Sequence, residues 1–373
     1  MSKLSVVFAV LLFCGCSHAA KREKKTSTSN QIPAKSAVTD TAEKPIPRYS
    51  DQQLETFLDS VGQLPTQPLE DKVAFGADSV FRSPASMDTL ISPADFAILK
   101  RAARSGVVNV KTARRIFKND DISYDCNTKS VFLTYKVGLI PVVYTPFTKN
   151  KRAFNEFSLC IGDPGHCENA YLYFFIGRRV IAVHNGYDRN GPDLAWYKDS
   201  DGKTVVYYGK EFVNGTGVWW FNYFFYKYDG GKLIPVLNEL QNANLLQPTP
   251  SGGNRCLWLE SFIKKTNPLT IKMVYHQQFI KQSDTVGYDY SPMFVNDSTV
   301  VQYKWNELTK TFEGQYAQSK ISKAQILSYY LFGDDRLFIN SHYGLLKRLL
   351  KDKIQRQWLL NYLSEIKYYS QKK

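Results

Sequence analysis

The residues of this 373-residue chain that could do chemistry are six cysteines, five histidines, a few Asp-rich turns and an unusual wealth of aromatic rings. Cys160 and Cys167 bracket Ile161-Gly162-Asp163-Pro164-Gly165-His166, a turn-rich loop able to bring two strand ends together. Apart from Cys14 and Cys16 the cysteines are four, an even set open to three pairings if the chain is exported; the spacing favours Cys160–Cys167, which leaves Cys126 with Cys256. A zinc site on Cys160, His166 and Cys167 is the competing use, but adjacent His and Cys fit poorly on one tetrahedral ion and no fourth ligand stands out. His184, beside Asn185 and Gly186 at a strand end, and His276 could each act as a general base, although a satisfied structural histidine is the ordinary role of such residues. Gly-x-Ser-x-Gly, His-Glu-x-x-His, P-loop and dinucleotide signatures are all missing, so no catalytic residue is assigned and no cofactor is expected. Two carboxylates far apart in sequence could still compose a glycosidase site.

Asp188, Asn190 and Asp193 offer oxygen ligands in a short loop, and Asp199-Ser200-Asp201-Gly202 follows closely. Hard cations such as calcium want that chemistry, yet Asp, Asn and Gly also build any hairpin turn. Asp188 to Leu194 distantly resembles the Asp-rich calcium loops of bacterial FG-GAP or VCBS-type repeats. Trp196, Trp219, Trp220 and Trp305 form a second class of candidate. Core packing is the ordinary role of most of them; left exposed on a sheet they would stack on sugars or hold a protein partner, because a large flat ring with one polar group gives contact at low entropic cost.

The first sixteen residues carry an address. Lys3 precedes an apolar run from Leu4 to Phe13, about half the length a spanning helix needs, which reads as a signal-peptide core. Leu12-Phe13-Cys14-Gly15-Cys16 resembles a bacterial lipoprotein signal. The resemblance implies removal of residues 1–15, acylation of Cys16 and attachment to a lipid bilayer, and Ser17 at the next position implies the outer membrane of a Gram-negative cell. Plain secretion after cleavage near Ala19 or Ala20 is the alternative. Residues 16–49 then form a polar tether too poor in apolar residues to fold alone.

The formal charge of +14 biases partners toward anions. Part of it lies outside the fold: Ser17 to Tyr49 holds seven Lys or Arg against three Asp or Glu, and with Lys3 set aside the body retains +9. Export separates the chain from most nucleic acid, so none is expected as a partner, and an envelope protein or glycan is.

These residues need elements to position them. Ser50 with Gln53 makes a capping box for a helix whose apolar face is Leu54, Phe57, Leu58 and Val61. Ser92-Pro93 opens a second helix closed by Gly106, Asn109 caps a third, and residues 50–118 read as a helical segment. Residues 119–318 change period to short runs rich in Val, Ile, Tyr, Phe and Trp between turn signals. Their centre is Val218 to Leu237. There Trp219, Trp220, Phe221, Tyr223, Phe224, Phe225, Tyr226 and Tyr228 crowd one strand before Asp229-Gly230-Gly231, so the strand must be covered on both faces, and Pro235 places its return strand near an edge. An aromatic strand before a polar turn recurs at Trp196–Lys203, Tyr226–Lys232 and Tyr303–Lys310. Residues 319–373 are helical again, with a long amphipathic helix predicted from Leu345 to about Tyr369.

The sequence therefore predicts an α+β protein: a large antiparallel β-sheet or β-sandwich built of hairpins, with helices at the N- and C-terminal ends. Its expected role is non-catalytic binding or support of an envelope protein or glycan. A hydrolase of an envelope polymer, or an inhibitor of an envelope enzyme presenting the Cys160–Cys167 loop, is the alternative.

Overall fold

The computed structural model describes residues 46–81, 85–122, 138–162, 170–186, 193–215, 218–247, 255–282, 287–330 and 335–371. In chain order they form α1 (Asp51–Gly62), α2 (Thr66–Phe81), β1 (Ala85–Leu90), α3 (Pro93–Ser105), β2 (Val107–Asn109), α4 (Val110–Phe117), β3 (Leu139–Pro146), β4 (Glu156–Ile161), β5 (Tyr171–Ile176) and β6 (Arg179–Asn185). Then come β7 (Ala195–Lys198), β8 (Thr204–Gly215), β9 (Val218–Asp229), β10 (Lys232–Gln247), β11 (Arg255–Thr266), β12 (Leu269–Gln282), β13 (Tyr288–Tyr290), β14 (Val295–Asn306) and β15 (Thr311–Gly314). Four helices close the chain: α5 (Lys323–Leu327), α6 (Arg336–Ser341), α7 (Tyr343–Leu349) and α8 (Gln355–Ser370). The signal peptide, Cys16 and most of the tether lie outside the described residues. Among the described residues no helix is long and apolar enough to cross a membrane.

The fold is α+β, with two antiparallel sheets and helices at both ends. One sheet has six strands in the order β1-β6-β5-β4-β3-β2. The other has nine, β15-β14-β12-β11-β10-β9-β8-β7 with β13 added on β12. The central hairpin forms as its turn residues require. Asp229 pairs with Lys232, and Gly230 and Gly231 both take positive φ (56° and 78°), the backbone of a two-residue hairpin turn. From Tyr223 to Tyr228 both faces of β9 are covered. Phe224, Tyr226 and Tyr228 enter the layer between the two sheets with Phe174, Leu172 and Ile181, while Phe225 joins the core of the nine-stranded sheet. Contrary to the expectation from Pro235, β10 is not near an edge but lies between β9 and β11; Pro235 is tolerated because β11 joins β10 only from Asn242 onward, so its missing N–H leaves no gap in a second ladder.

Helix starts follow their caps. Ser50 and Gln53 exchange hydrogen bonds at the start of α1, and Ser322 does the same with Gln325 at α5. Ser92 caps α3, which ends on Gly106 at φ 75°, and Asn109 caps α4. The predicted helical segment 50–118 divides in two. α3 and α4 cover the far face of the six-stranded sheet, with Phe117 stacked on Tyr173 at 3.9 Å. α1 instead packs Leu54, Leu58 and Val61 against Phe338, Ile339, Leu346 and Leu359 of the C-terminal helices. Two short strands, β1 and β2, also interrupt that segment and pair with β6 and β3.

The long C-terminal helix is likewise broken. α7 ends at Leu349, and Asp352 restarts the chain by accepting the N–H groups of Ile354 and Gln355. The helical period across Leu345–Tyr369 is real, but the run Lys351-Asp352-Lys353 supplies an N-capping carboxylate in its middle.

Candidate functional site

Beyond Asn242, the strands of the nine-stranded sheet alternate cleanly between a buried and a half-exposed side. On β11, Leu257, Leu259 and Ser261 are buried, and Cys256, Trp258, Glu260 and Phe262 face out. On β12, Ile271, Met273, Tyr275 and Gln277 are buried, and Lys272, Val274 and His276 face out. β14 buries Thr299, Val301 and Tyr303 and turns out Asn296, Ser298 and Val300. Registered partners share a face, so Trp219, Asn244, Trp258, His276 and Asn296 form one row across five strands. Phe221, Asn242, Glu260, Val274 and Ser298 form the next row, and Phe262, Lys272 and Val300 the one after.

None of these outward residues belongs to a core cluster, and Phe262 and Val300 keep 41% and 53% of their surface in solvent. Contacts within the face orient its rings. The Trp258 and His276 rings stack at 4.9 Å and 24°, and Trp219 Nε1 donates to Asn242 Oδ1. His276 Nδ1 has no hydrogen-bond partner among the described residues. A half-exposed sheet face of indole, imidazole and carboxamide groups can stack on flat apolar surfaces and exchange hydrogen bonds, which is the chemistry of recognition.

Of the four tryptophans singled out from sequence, only Trp219 lies on this face. Trp220 is buried edge-on against Tyr330 with its Nε1 donating to Asn222 Oδ1, Trp196 packs at the inter-sheet layer, and Trp305 packs against the core of the nine-stranded sheet. A surface built from all four indoles is therefore not formed, because the strand carrying Trp220 is covered on that side. Trp258, the centre of the row, escaped sequence reasoning; the alternation Cys256-x-Trp258-x-Glu260-x-Phe262 against Leu257-x-Leu259-x-Ser261 was the available signal.

The recurring aromatic hairpins meet at one end of the fold. Lys227, 1% exposed, places its ammonium 2.7 Å from Asp199 and 2.9 Å from Asp201, and 4.0 Å over the Trp305 ring. Lys203 bonds Asp229 at 2.6 Å and holds that carboxyl below its usual range. The acidic turn next to the calcium candidate is thus neutralised by ammonium groups. Asp188 and Asn190 lie outside the described residues, and Asp193 stands before β7. No cluster of three or more His, Cys, Asp or Glu fit for a metal occurs among the described residues.

His184 and His276 are not brought together. His184 sits between the sheets with Nδ1 2.8 Å from Tyr208 Oη, and burial, reinforced by the Lys210 charge, pushes it down to about 3. A second buried polar group, Glu239, accepts from Tyr316 at 2.6 Å and Tyr303 at 2.9 Å, with burial pushing both phenols well above their ordinary value. These groups are enclosed and serve the core. Cys160 is buried in β4 and Cys256 carries a free, half-buried thiol on β11, raised by burial. No disulfide is seen among the described residues, and Cys126 and Cys167, the partners expected for Cys256 and Cys160, lie outside them.

No protein-family model and no curated protein compared with the chain matches it.

Proposed function

We propose that this protein is an exported lipoprotein, anchored in the outer membrane of a Gram-negative cell by acyl chains on Cys16, whose body binds an envelope protein or glycan without chemistry of its own. The observation that carries the binding reading is the row Trp219–Asn244–Trp258–His276–Asn296, a half-exposed run of indole, imidazole and carboxamide groups that no core cluster absorbs. A tether of about thirty polar residues would have a reach of about 30 Å, enough to let the body stand clear of the bilayer. The hydrolase reading has less support, since His184 is enclosed between the sheets while His276 lies on the outer face. The inhibitor reading rests on a loop whose residues 163–169 lie outside those described.

The test is a pull-down from detergent-solubilised native envelopes, using a tagged body from Ser17 onward and its W219A/W258A double variant, with protein and sugar both analysed. A stoichiometric partner that survives high salt on the wild type and is lost from the variant supports the reading. Equal recovery by both proteins refutes the face, and recovery at low salt alone means that the +9 body merely collects anions.

A further inference from the structure

A second surface stands apart from the sheet face and is concave. A cleft of about 510 Å3 opens where the body begins, walled by the segment from Ile46 to Leu54, the end of β12 and one side of α8. Its volume lies in the range of small-molecule sites. The side chains that α8 contributes follow helical steps. Asn361 stands four residues after Gln357, and Ser364 and Glu365 three and four after Asn361, which brings them to one side of the helix, and Trp358 lies beside Gln357 at the start of that side. Gln357 Nε2 donates to Asn361 Oδ1 at 2.9 Å, which fixes both amide planes and leaves Gln357 Oε1 as acceptor and the Asn361 amide as donor. Lys281 holds its ammonium 5.7 Å from the centre of the Trp358 ring.

The charges lining the cleft balance. Arg48 and Lys281 are set against Asp51 and Glu365, so no net field selects an ion. Asp51 is also bonded to Arg356 at 2.9 Å and Lys281 to Asp289 at 3.6 Å. A purely apolar ligand would desolvate the amides, Ser364 and the charged groups with nothing in return. A ligand with one apolar ring face and a rim of hydroxyls, each able to donate and accept, suits the half-buried indole and the mixed polar set together. We propose that this cleft is a saccharide site taking one or two rings of a neutral sugar, with the Trp358 indole as stacking platform and the Gln357–Asn361 amide pair reading the hydroxyls. The site is independent of the sheet face and stands or falls separately from it.

The test uses the full chain in a sugar-free detergent, titrated by calorimetry with N,N′-diacetylchitobiose, with cellobiose and with trialanine as a zwitterionic probe. The expected result is saturable binding of at least one disaccharide, weakened about tenfold by W358A. Because Trp358 also touches the helical core, the double variant Q357A/N361A, which alters two exposed residues, gives the second reading and is expected to weaken the same binding. Absence of binding by both disaccharides overturns the proposal. So does disaccharide affinity that both variants leave unchanged, or binding of trialanine in preference to either sugar.

Discussion

The six-stranded sheet and the outer half of the nine-stranded sheet use similar residues to opposite ends. β4 and β5 read Glu-Phe-Ser-Leu-Cys-Ile and Tyr-Leu-Tyr-Phe-Phe-Ile and are buried almost throughout, because α3 and α4 cover one face and β8 and β9 the other. β11, β12 and β14 alternate, with the core on one side and Trp258, His276 and Val300 on the other. Continuous apolar runs mark strands covered twice, and strict alternation marks strands covered once. The difference teaches where a partner can be held: a doubly covered sheet has spent its aromatic surface on folding.

That comparison can be broken most sharply in the covered sheet. Phe157 is fully buried and stacked on Phe175 at 4.5 Å, so Phe157→Ala is expected to cost about 4 kcal/mol in a urea titration. A loss below about 1 kcal/mol would mean that the sheet is not enclosed as described.

Asp335→Asn tests the buried face of the open sheet. Arg255 on β11 bonds Asp335 at 2.8 Å and Gln277 at 3.0 Å, and lies 3.9 Å over the Phe338 ring, with the pair only 3% and 2% exposed. Removing the carboxylate leaves a buried guanidinium without its counter-charge, and a loss of about 3 kcal/mol or more is expected by the same titration.

A smaller effect follows from pH. Burial holds His184 and His342 down at about 3, so both are neutral in the folded protein while the unfolded chain takes up protons below about 6.5. Stability is therefore complete above about pH 6.5 and declines as pH falls toward 3, by up to about 1.4 kcal/mol per pH unit for each histidine, which makes about 2 kcal/mol for each at pH 5. His342→Gln should flatten the slope of denaturation midpoint against pH between 6 and 4. An unchanged slope would remove His342 from the account.

The smallest effect on folding belongs to the outer face. Trp258→Ala is expected to change stability by about 1 kcal/mol or less while abolishing partner capture. A cost equal to that of Phe157→Ala would mean that this face is covered within the protein itself, and the contrast between the two sheets would collapse.

Much of the local architecture was legible. The capping box at Ser50, the caps at Ser92 and Asn109 and the Gly230-Gly231 turn each involve residues a few positions apart, where side-chain and backbone chemistry acts without help from the rest of the chain. The candidate site was legible only in part. Trp219 was found through the aromatic crowding around it, but Trp258 sits in β11 among Glu, Ser and Lys residues that dilute the strand signal. Trp220, a candidate for the same surface, is buried, because aromatic content alone does not say which side of a strand is covered.

By itself the sequence determined the antiparallel, hairpin-built character of the body, the positions of most turns and helix starts, and the demand that the aromatic run of β9 be covered on both faces, which the fold meets from Tyr223 to Tyr228. Only the tertiary structure decided that α1 leaves its neighbours to join helices almost 300 residues away, that three separate hairpins close around the Lys227 ammonium, and that the row centred on Trp258 faces outward. The reason is physical. Turn and cap energies depend on groups within a few bonds of one another, whereas the covering of a sheet face depends on which distant surface arrives to exclude water from it.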